Sequence, residues 1–390
     1  MKPTIEVPDV PGLMVKLEEV LKSGWLTHGV WNSRFEDQTK IMAGSHYAVS
    51  CGSGTAGLEL VFRALPRKGI VIIPTNTHFA TAIAAVNAGH KVLFRDVDPS
   101  NMMLAVDDKT MITHYAGEDV VAIVYVSIGG FISQDILKLR DFCDTTGIHL
   151  IEDAAHAHGV RISTWQVAPG NAGRKLETQF GGSIGHAGVF SYYPTKVAFG
   201  AEGGCIVTKD RGLYEKLIRL RDIGRQNPGW LDQYAYAGFN GRMSNVNACI
   251  CHHVQSFLPQ MIAERTRYAD YYGDFFEERN EPVFCENCIP NYYKVIVICE
   301  TPLQAERLKG LLKSNGTPAQ MDVFAFGLHE QPYFMLSPYA NGWVNFTDTF
   351  PVSDHVTKSH VCLPISAKFD EEKAASVCNV LREWDRIREI

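Results

Sequence analysis

Three short segments of this 390-residue chain combine residue types that could serve one reaction centre. In Phe190-Ser191-Tyr192-Tyr193-Pro194-Thr195-Lys196, an apolar run delivers a hydroxyl and then a lysine into a turn; Gly200-Ala201-Glu202-Gly203-Gly204 follows. A lysine amine becomes a nucleophile, or condenses with a carbonyl, when burial or neighbouring charge lowers its pKa. The ordinary alternative is a solvated loop lysine, and the apolar lead-in and glycine flank weigh against it. In Ile151-Glu152-Asp153-Ala154-Ala155-His156, an acid ends a second apolar run. Carboxyl ends of parallel strands are where open α/β sheets place ligands, so Asp153 could hold a positive charge such as a protonated pyridine nitrogen. Taken alone, an aspartate there is more often a cap or turn residue. Gly52-Ser53-Gly54-Thr55-Ala56-Gly57 matches G-x-G-x-x-G and opens a helix, whose free N–H groups attract anions. A dinucleotide site would also need an acid ending the next strand, but Val71-Ile72-Ile73 runs into Pro74-Thr75-Asn76. A phosphate cradle for another cofactor fits better than a nicotinamide site or a plain glycine turn.

The elements that must position these segments alternate along the chain. Short apolar runs occur at Tyr47–Ser50, Ile70–Ile73, Lys91–Phe94, Val120–Val126, His149–Ile151, Ala187–Ser191 and Gly204–Thr208. Helical periods fill the stretches Thr55–Leu65, Ala80–Ala88 and Gln134–Thr146. Val- and Ile-rich runs without alternation, separated by helices, predict a mostly parallel sheet covered on both faces. Two helices precede it, one through Leu13–Leu21 and one around Phe35-Glu36. After Ser244 the pattern reads as one long helical region to about Glu278, then a smaller α+β segment. Its strand Lys294–Cys299 leads into Thr301-Pro302-Leu303-Gln304, a capping box with proline at the first helical position. The expected division is a large α/β domain over 1–255, with the N-terminal helices, and a small C-terminal α+β domain over 256–390.

Composition narrows the class. Hydrophobic residues make up 46% and charged residues 21%, with a net charge of −6, ordinary for a globular protein. No apolar run approaches the roughly eighteen residues of a membrane span, and no basic tract points to nucleic acid. Met1–Pro8 lacks the apolar core of a signal peptide, so a cytoplasmic location is expected. Of the ten cysteines, only Cys285-Glu286-Asn287-Cys288 has C-x-x-C spacing, and no second pair follows to complete a zinc site.

In chain order the three segments supply a phosphate cradle, an acid for a pyridine nitrogen and a carbonyl-condensing lysine. Together they resemble the DegT/StrS-type sugar aminotransferases, a branch of the fold-type I pyridoxal-phosphate (PLP) enzymes. Ser53-Gly54-Thr55-Ala56 resembles that family's phosphate turn, and Glu152-Asp153-Ala154-Ala155 its pyridine-nitrogen motif. Ser191 and Lys196 have its serine-to-lysine spacing, and Gly238-Phe239-Asn240-Gly241-Arg242-Met243 resembles its G-x-N-x-R-M segment. Ser23-Gly24-Trp25-Leu26-Thr27-His28-Gly29 with Phe35-Glu36 is similar to its N-terminal substrate loop and helix. The resemblance implies that Lys196 forms the Schiff base and shuttles the proton, and that Asp153 pairs with the pyridine nitrogen. It implies Gly54, Thr55, Ala56 and Ser191 on the phosphate, with Asn240 reaching the phosphate of a neighbouring subunit in a homodimer with shared sites. His78 aligns with the residue stacked on the cofactor ring, with Phe79 as the alternative. Thr27, His28 and Arg242 fall on the substrate side, though Arg242 could equally be a structural ion pair.

The chain also departs from the family's pattern. His156 stands where glutamine is common, near the cofactor's phenolic oxygen, and can donate the same bond from a titratable group. Val197 replaces a frequent asparagine, and Gly185-His186 a frequent Gly-Asp. Ile162–Gly181 is long, predicting an extra loop beside the site. Met321-Asp322-Val323-Phe324-Ala325-Phe326 replaces a His-Tyr segment. The resemblance implies transfer of an amine from an amino acid, glutamate within this family, to the ketone of a nucleotide-linked sugar. Sugar dehydration, and elimination or cleavage of an amino acid, are the other reactions of the scaffold. The family's dehydratases carry histidine at the lysine position. A cofactor-binding scaffold without catalysis is disfavoured by the intact Asp153, Ser191 and Lys196.

Overall fold

The computed structural model describes residues 6–167, 174–226, 233–277 and 287–387. Helices α1 (Val10–Ser23) and α2 (Val30–Ala43) precede β1 (Tyr47–Cys51) and α3 (Gly54–Ala64). Then come β2 (Ile70–Pro74), α4 (Phe79–Asn87), β3 (Lys91–Arg95), β4 (His114–Tyr115), β5 (Glu118–Val126), α5 (Asp135–Thr146) and β6 (His149–Asp153). The strands β7 (Arg161–Val167), β8 (Arg174–Phe180), β9 (Ala187–Ser191) and β10 (Gly204–Thr208) lead to α6 (Arg211–Arg221) and α7 (Asn245–Gln255). The main sheet has the order β1-β10-β9-β6-β5-β2-β3, with β4 attached to β5. Strands β3, β2, β5, β6 and β9 run parallel, whereas β10 is antiparallel to both β9 and β1. Every residue of β2 and β10 is buried, as strands covered on both faces require. The expected mostly parallel, helix-covered sheet is what forms.

The expected single helix after Ser244 is instead two, α7 and then α8 (Leu258–Glu277). Pro259 explains the break: its ring would clash with the carbonyl four residues back, at Gln255, where α7 stops. Residue Glu278, where the sequence pattern ended, lies outside the described residues.

The long segment after Ile162 is a β-hairpin rather than a loop. β7 and β8 pair antiparallel from Arg161↔Phe180 to Val167↔Arg174, with residues 168–173 outside the described set. A third strand, β11 (Cys288–Ile289), joins β7. Cys288 accepts the Ile132 N–H at 3.4 Å, while Cys285 lies outside the described residues.

The chain continues through β12 (Val295–Ile298), α9 (Pro302–Ser314), α10 (Pro332–Leu336), α11 (Pro351–Ser359), β13 (His360–Leu363) and α12 (Glu371–Ile387). Thr301 and Gln304 make the expected reciprocal cap of α9. Tyr268 and Tyr272 of α8, Val297, Leu308, Leu363 and Trp384 share a second hydrophobic core. Part of the stretch between α9 and α11 packs on the first core. Phe334, Trp343 and Phe350 pack there, and Trp343 lies 5.1 Å from the Phe94 ring. Gly342 and Val344 bond both backbone groups of Val92, which covers the edge strand β3. Among the described residues, no helix is long and apolar enough to cross a membrane.

Candidate active site

The parallel strands β6 and β9 end side by side, with Asp153 opposite Val189. Asp153 is buried, and its orientation is fixed by two donors. Thr81 Oγ1 donates to Oδ2 at 2.8 Å, and the Ala155 N–H donates to Oδ1 at 3.2 Å. Thr81 sits one turn inside α4, which starts at the carboxyl end of β2.

Ser191 ends β9 and meets the start of α3. A Cβ built on Gly54 would fall 2.9 Å from Ser191 Cβ and 3.3 Å from its Oγ, so only glycine allows this approach. Ser53 caps α3 by accepting the Ala56 N–H at 3.1 Å. Gly204 on β10 presses against Ser53, where a Cβ would lie 2.4 Å from the carbonyl oxygen. The first turn of α3, with the N–H groups that a helix start leaves free, thus lies beside Ser191, an arrangement suited to a phosphate. Thr55 is exposed and Ala56 half-buried.

Lys196 lies in the turn after β9. Its N–H donates to the Tyr193 carbonyl at 2.9 Å, and Gly200 N–H donates to Tyr192 at 2.7 Å. Its amine stands 5.0 Å from the centre of the Tyr293 ring. Among the described residues, no carboxylate lies within ion-pair distance. Burial lowers the amine to about 8; Asp153 pulls it back up and Lys294 pushes it further down. A nucleophilic amine near neutral pH is the result.

His156 is buried and stacks on Tyr293, with centroids 4.3 Å apart and planes at 28°. Its Nδ1 has no hydrogen-bond partner among the described residues. Burial, then the charges of Lys196 and Lys294, hold its pKa well below the usual histidine value, so the imidazole is neutral. His78 caps α4, its Nδ1 accepting the Ala80 N–H at 3.1 Å. Burial lowers its pKa, Asp153 opposes the shift and Lys196 adds to it. Phe79 points elsewhere, packing on Tyr333 and Phe334 at 5.5 and 5.8 Å. Of the two ring-stacking candidates, His78 is the one near Asp153 and Lys196.

The remaining sequence-predicted residues gather in a second place. Arg242 is ion-paired with Asp222, the structural role weighed for it. His28 Nε2 lies 3.2 Å from Arg221 Nη2, and Arg221 is paired with Glu36 at 2.8 Å. Thr27 and Asn240 are exposed. None of these is brought to Lys196 within this chain. Their link to the phosphate turn is a backbone bond, Gly52 N–H to the Gly241 carbonyl at 2.9 Å.

Four residues of the pocket carried no motif. Tyr293 and Lys294 enter from the segment before β12, and Phe324 lies 6.1 Å from His156 and 6.5 Å from His78. Their proximity depends on how the chain's last third folds back. Thr81 could have been found, since a hydroxyl one turn into a helix beginning at a strand end faces the neighbouring strand end.

Solved structures share this fold. An aminotransferase from Brucella abortus superposes with a TM-score of 0.82 at 20% identity, covering 98% of this chain and 99% of that one. The E. coli GDP-4-keto-6-deoxy-D-mannose-3-dehydratase, solved with bound hydrated PLP, gives 0.79 at 19% identity, covering 97% and 98%. Among characterised relatives, the GDP-perosamine synthase of Vibrio cholerae is 25% identical over 377 residues, 94% of this chain and 95% of that protein. Residues 12–382, which hold every candidate site residue described above, match the DegT/DnrJ/EryC1/StrS aminotransferase family, and the chain belongs to it.

Proposed function

We propose that this protein is a PLP-dependent aminotransferase that moves the amino group of an amino acid, glutamate, to the ketone of a nucleotide-linked sugar. The observation that carries this reading is Lys196: a half-buried amine at the strand ends, lowered to about 8 and set near Asp153. The pocket's own features fit the cofactor. Gly54 lies against Ser191 at a helix start, where a side chain would not fit, and the buried His156 Nδ1 lacks a partner among the described residues. When bound, PLP supplies an electron sink that stabilises negative charge on a substrate carbon after proton removal.

The residues divide the remaining work. Lys196 would hold the cofactor through its aldehyde carbon and, once displaced from it by the substrate's amine, would take up and return the proton at its free Nζ. Asp153, oriented by Thr81, holds the proton on the pyridine nitrogen and so keeps the ring electron-poor. Gly54, Thr55, Ala56 and Ser191 bind the phosphate. His156 hydrogen-bonds the phenolic oxygen and His78 stacks on the ring. Asn240, exposed on this chain, reaches the phosphate of the partner subunit in a cytoplasmic homodimer. Thr27 and His28 lie on the substrate side, while Arg242 holds Asp222.

Dehydration of a keto-sugar is the second reading, because one protein with this fold is a dehydratase. Lysine at position 196 favours transfer, since the family's dehydratases resemble this chain but carry histidine there. Incubating the PLP-loaded enzyme with glutamate and a panel of nucleotide keto-sugars distinguishes the two. An amino-sugar with matching 2-oxoglutarate supports transfer; a deoxygenated sugar with no new amine overturns it. Borohydride reduction and peptide mapping place the pyridoxyl group on Lys196 if the cofactor assignment is right. Mixed Lys196→Ala and Asn240→Ala protomers regain activity if the sites are shared.

A further inference from the structure

Nothing in the turn after β9 by itself fixes where the Lys196 amine rests. We propose that Tyr293, in the segment entering β12, is a positioning residue for this centre. Its ring supports the Lys196 amine and the His156 imidazole together, and its hydroxyl holds the lysine turn through Thr195. The proposal rests on Lys196 being the cofactor-bearing lysine.

Three contacts converge on the one side chain. The Lys196 amine lies 5.0 Å from the ring centre, the His156 ring stacks at 4.3 Å, and the hydroxyl donates to Thr195 Oγ1 at 3.3 Å. Tyr293 is itself held from behind. Arg265 of α8 donates to the Tyr292 and Tyr293 carbonyls at 3.2 and 3.4 Å. Asn291 Oδ1 accepts the Tyr293 N–H at 2.9 Å, while its Nδ2 donates to the His156 carbonyl at 2.7 Å. One asparagine thus registers the tyrosine against the histidine it stacks on. The ring, itself part of the first core, forms a strut between the segment entering β12 and the strand ends.

The strut has a chemical consequence. A tyrosine face attracts an ammonium, but its bulk also keeps water from the amine. Burial is the largest influence on Lys196, ahead of Asp153 on β6 and Lys294 before β12. His156, His78 and His158 also face the amine, all lowered toward the neutral form. Loss of the ring therefore lets water in and raises the amine's proton affinity.

The test is arylation of Lys196 by trinitrobenzenesulfonate in the full-length apoprotein, followed against pH by peptide mass. Wild type should show a midpoint near 8. Tyr293→Phe should keep that midpoint, and Tyr293→Leu should raise it by about one unit. A wild-type midpoint in a folded Tyr293→Leu protein overturns the proposal. If that variant does not fold, the hydroxyl contact decides. Tyr293→Phe and Thr195→Val should each speed limiting arylation about threefold, and the double variant no more than either. Unchanged or additive rates overturn it. The readout needs no cofactor, so failure of the cofactor assignment shows separately, as absent pyridoxyl on Lys196 in wild type.

Discussion

The Gly52–Gly57 turn touches two charge-rich places that use charge in opposite ways. On one side, Glu36 accepts from Arg221 and from the Ser50 backbone and hydroxyl, and Arg242 is matched to Asp222. Every cation there has an anion within bonding distance. On the other side, Lys294, His78, His156 and Asp153 all lie near Lys196, and that carboxylate bonds Thr81 and a backbone N–H instead. With no anion in ion-pair reach of Lys196 among the described residues, burial wins and the amine and imidazoles shift toward neutrality. Matched charge makes structure; mismatched charge makes reactivity.

Variants can break or sharpen this contrast. The largest effect should come from Lys196→Ala. Amine transfer should fall by at least about 10³-fold, while the urea midpoint barely moves, because no ion pair is lost. Large destabilisation would show that Lys196 is structural after all. Glu36→Gln should do the reverse, costing about 3 kcal/mol in urea unfolding by leaving the Arg221 charge buried without its anion. A cost under ~1 kcal/mol would show that the pair is effectively solvated.

Two smaller effects probe the pocket itself. A lysine reacts only as the free amine, so its lowered pKa sets the pH dependence of cofactor attachment. The attachment rate in apoprotein should rise about tenfold per pH unit below about 8 and level off above it. Asp153→Asn should move that midpoint lower, since the carboxylate holds the pKa up. A midpoint near the free-lysine value, followed by stopped-flow absorbance, would mean that Lys196 is hydrated. Thr81→Val removes one donor from Asp153 and should slow turnover roughly fivefold to tenfold without weakening phosphate binding. Equal losses in both would make Thr81 a packing residue.

Much of the pocket was legible because local sequence positions it. Asp153, Ser191 and Gly54 sit at the ends of strands or the start of a helix, where a few consecutive residues dictate geometry. The misread regions depended on something nonlocal or on a single residue. Pro259 split the expected long helix, and the stretch after Ile162 closed into a hairpin because β8 and β11 were available to pair with β7. His78 and Phe79 could be ordered only once Tyr333 and Phe334 were seen to claim the phenylalanine.

By itself, the sequence determined the parallel sheet and the positions of the Gly52–Gly57 turn, Asp153 and Lys196 at its strand ends, since each follows from hydrophobic period or from adjacent residues. Tertiary structure decided which charges are matched. Arg242 found Asp222 twenty positions away, Lys196 found no anion within ion-pair reach among the described residues, and Tyr293 arrived from nearly a hundred residues downstream to meet them. Ion pairing and desolvation act through space over a few ångströms, and only the folded chain sets those distances.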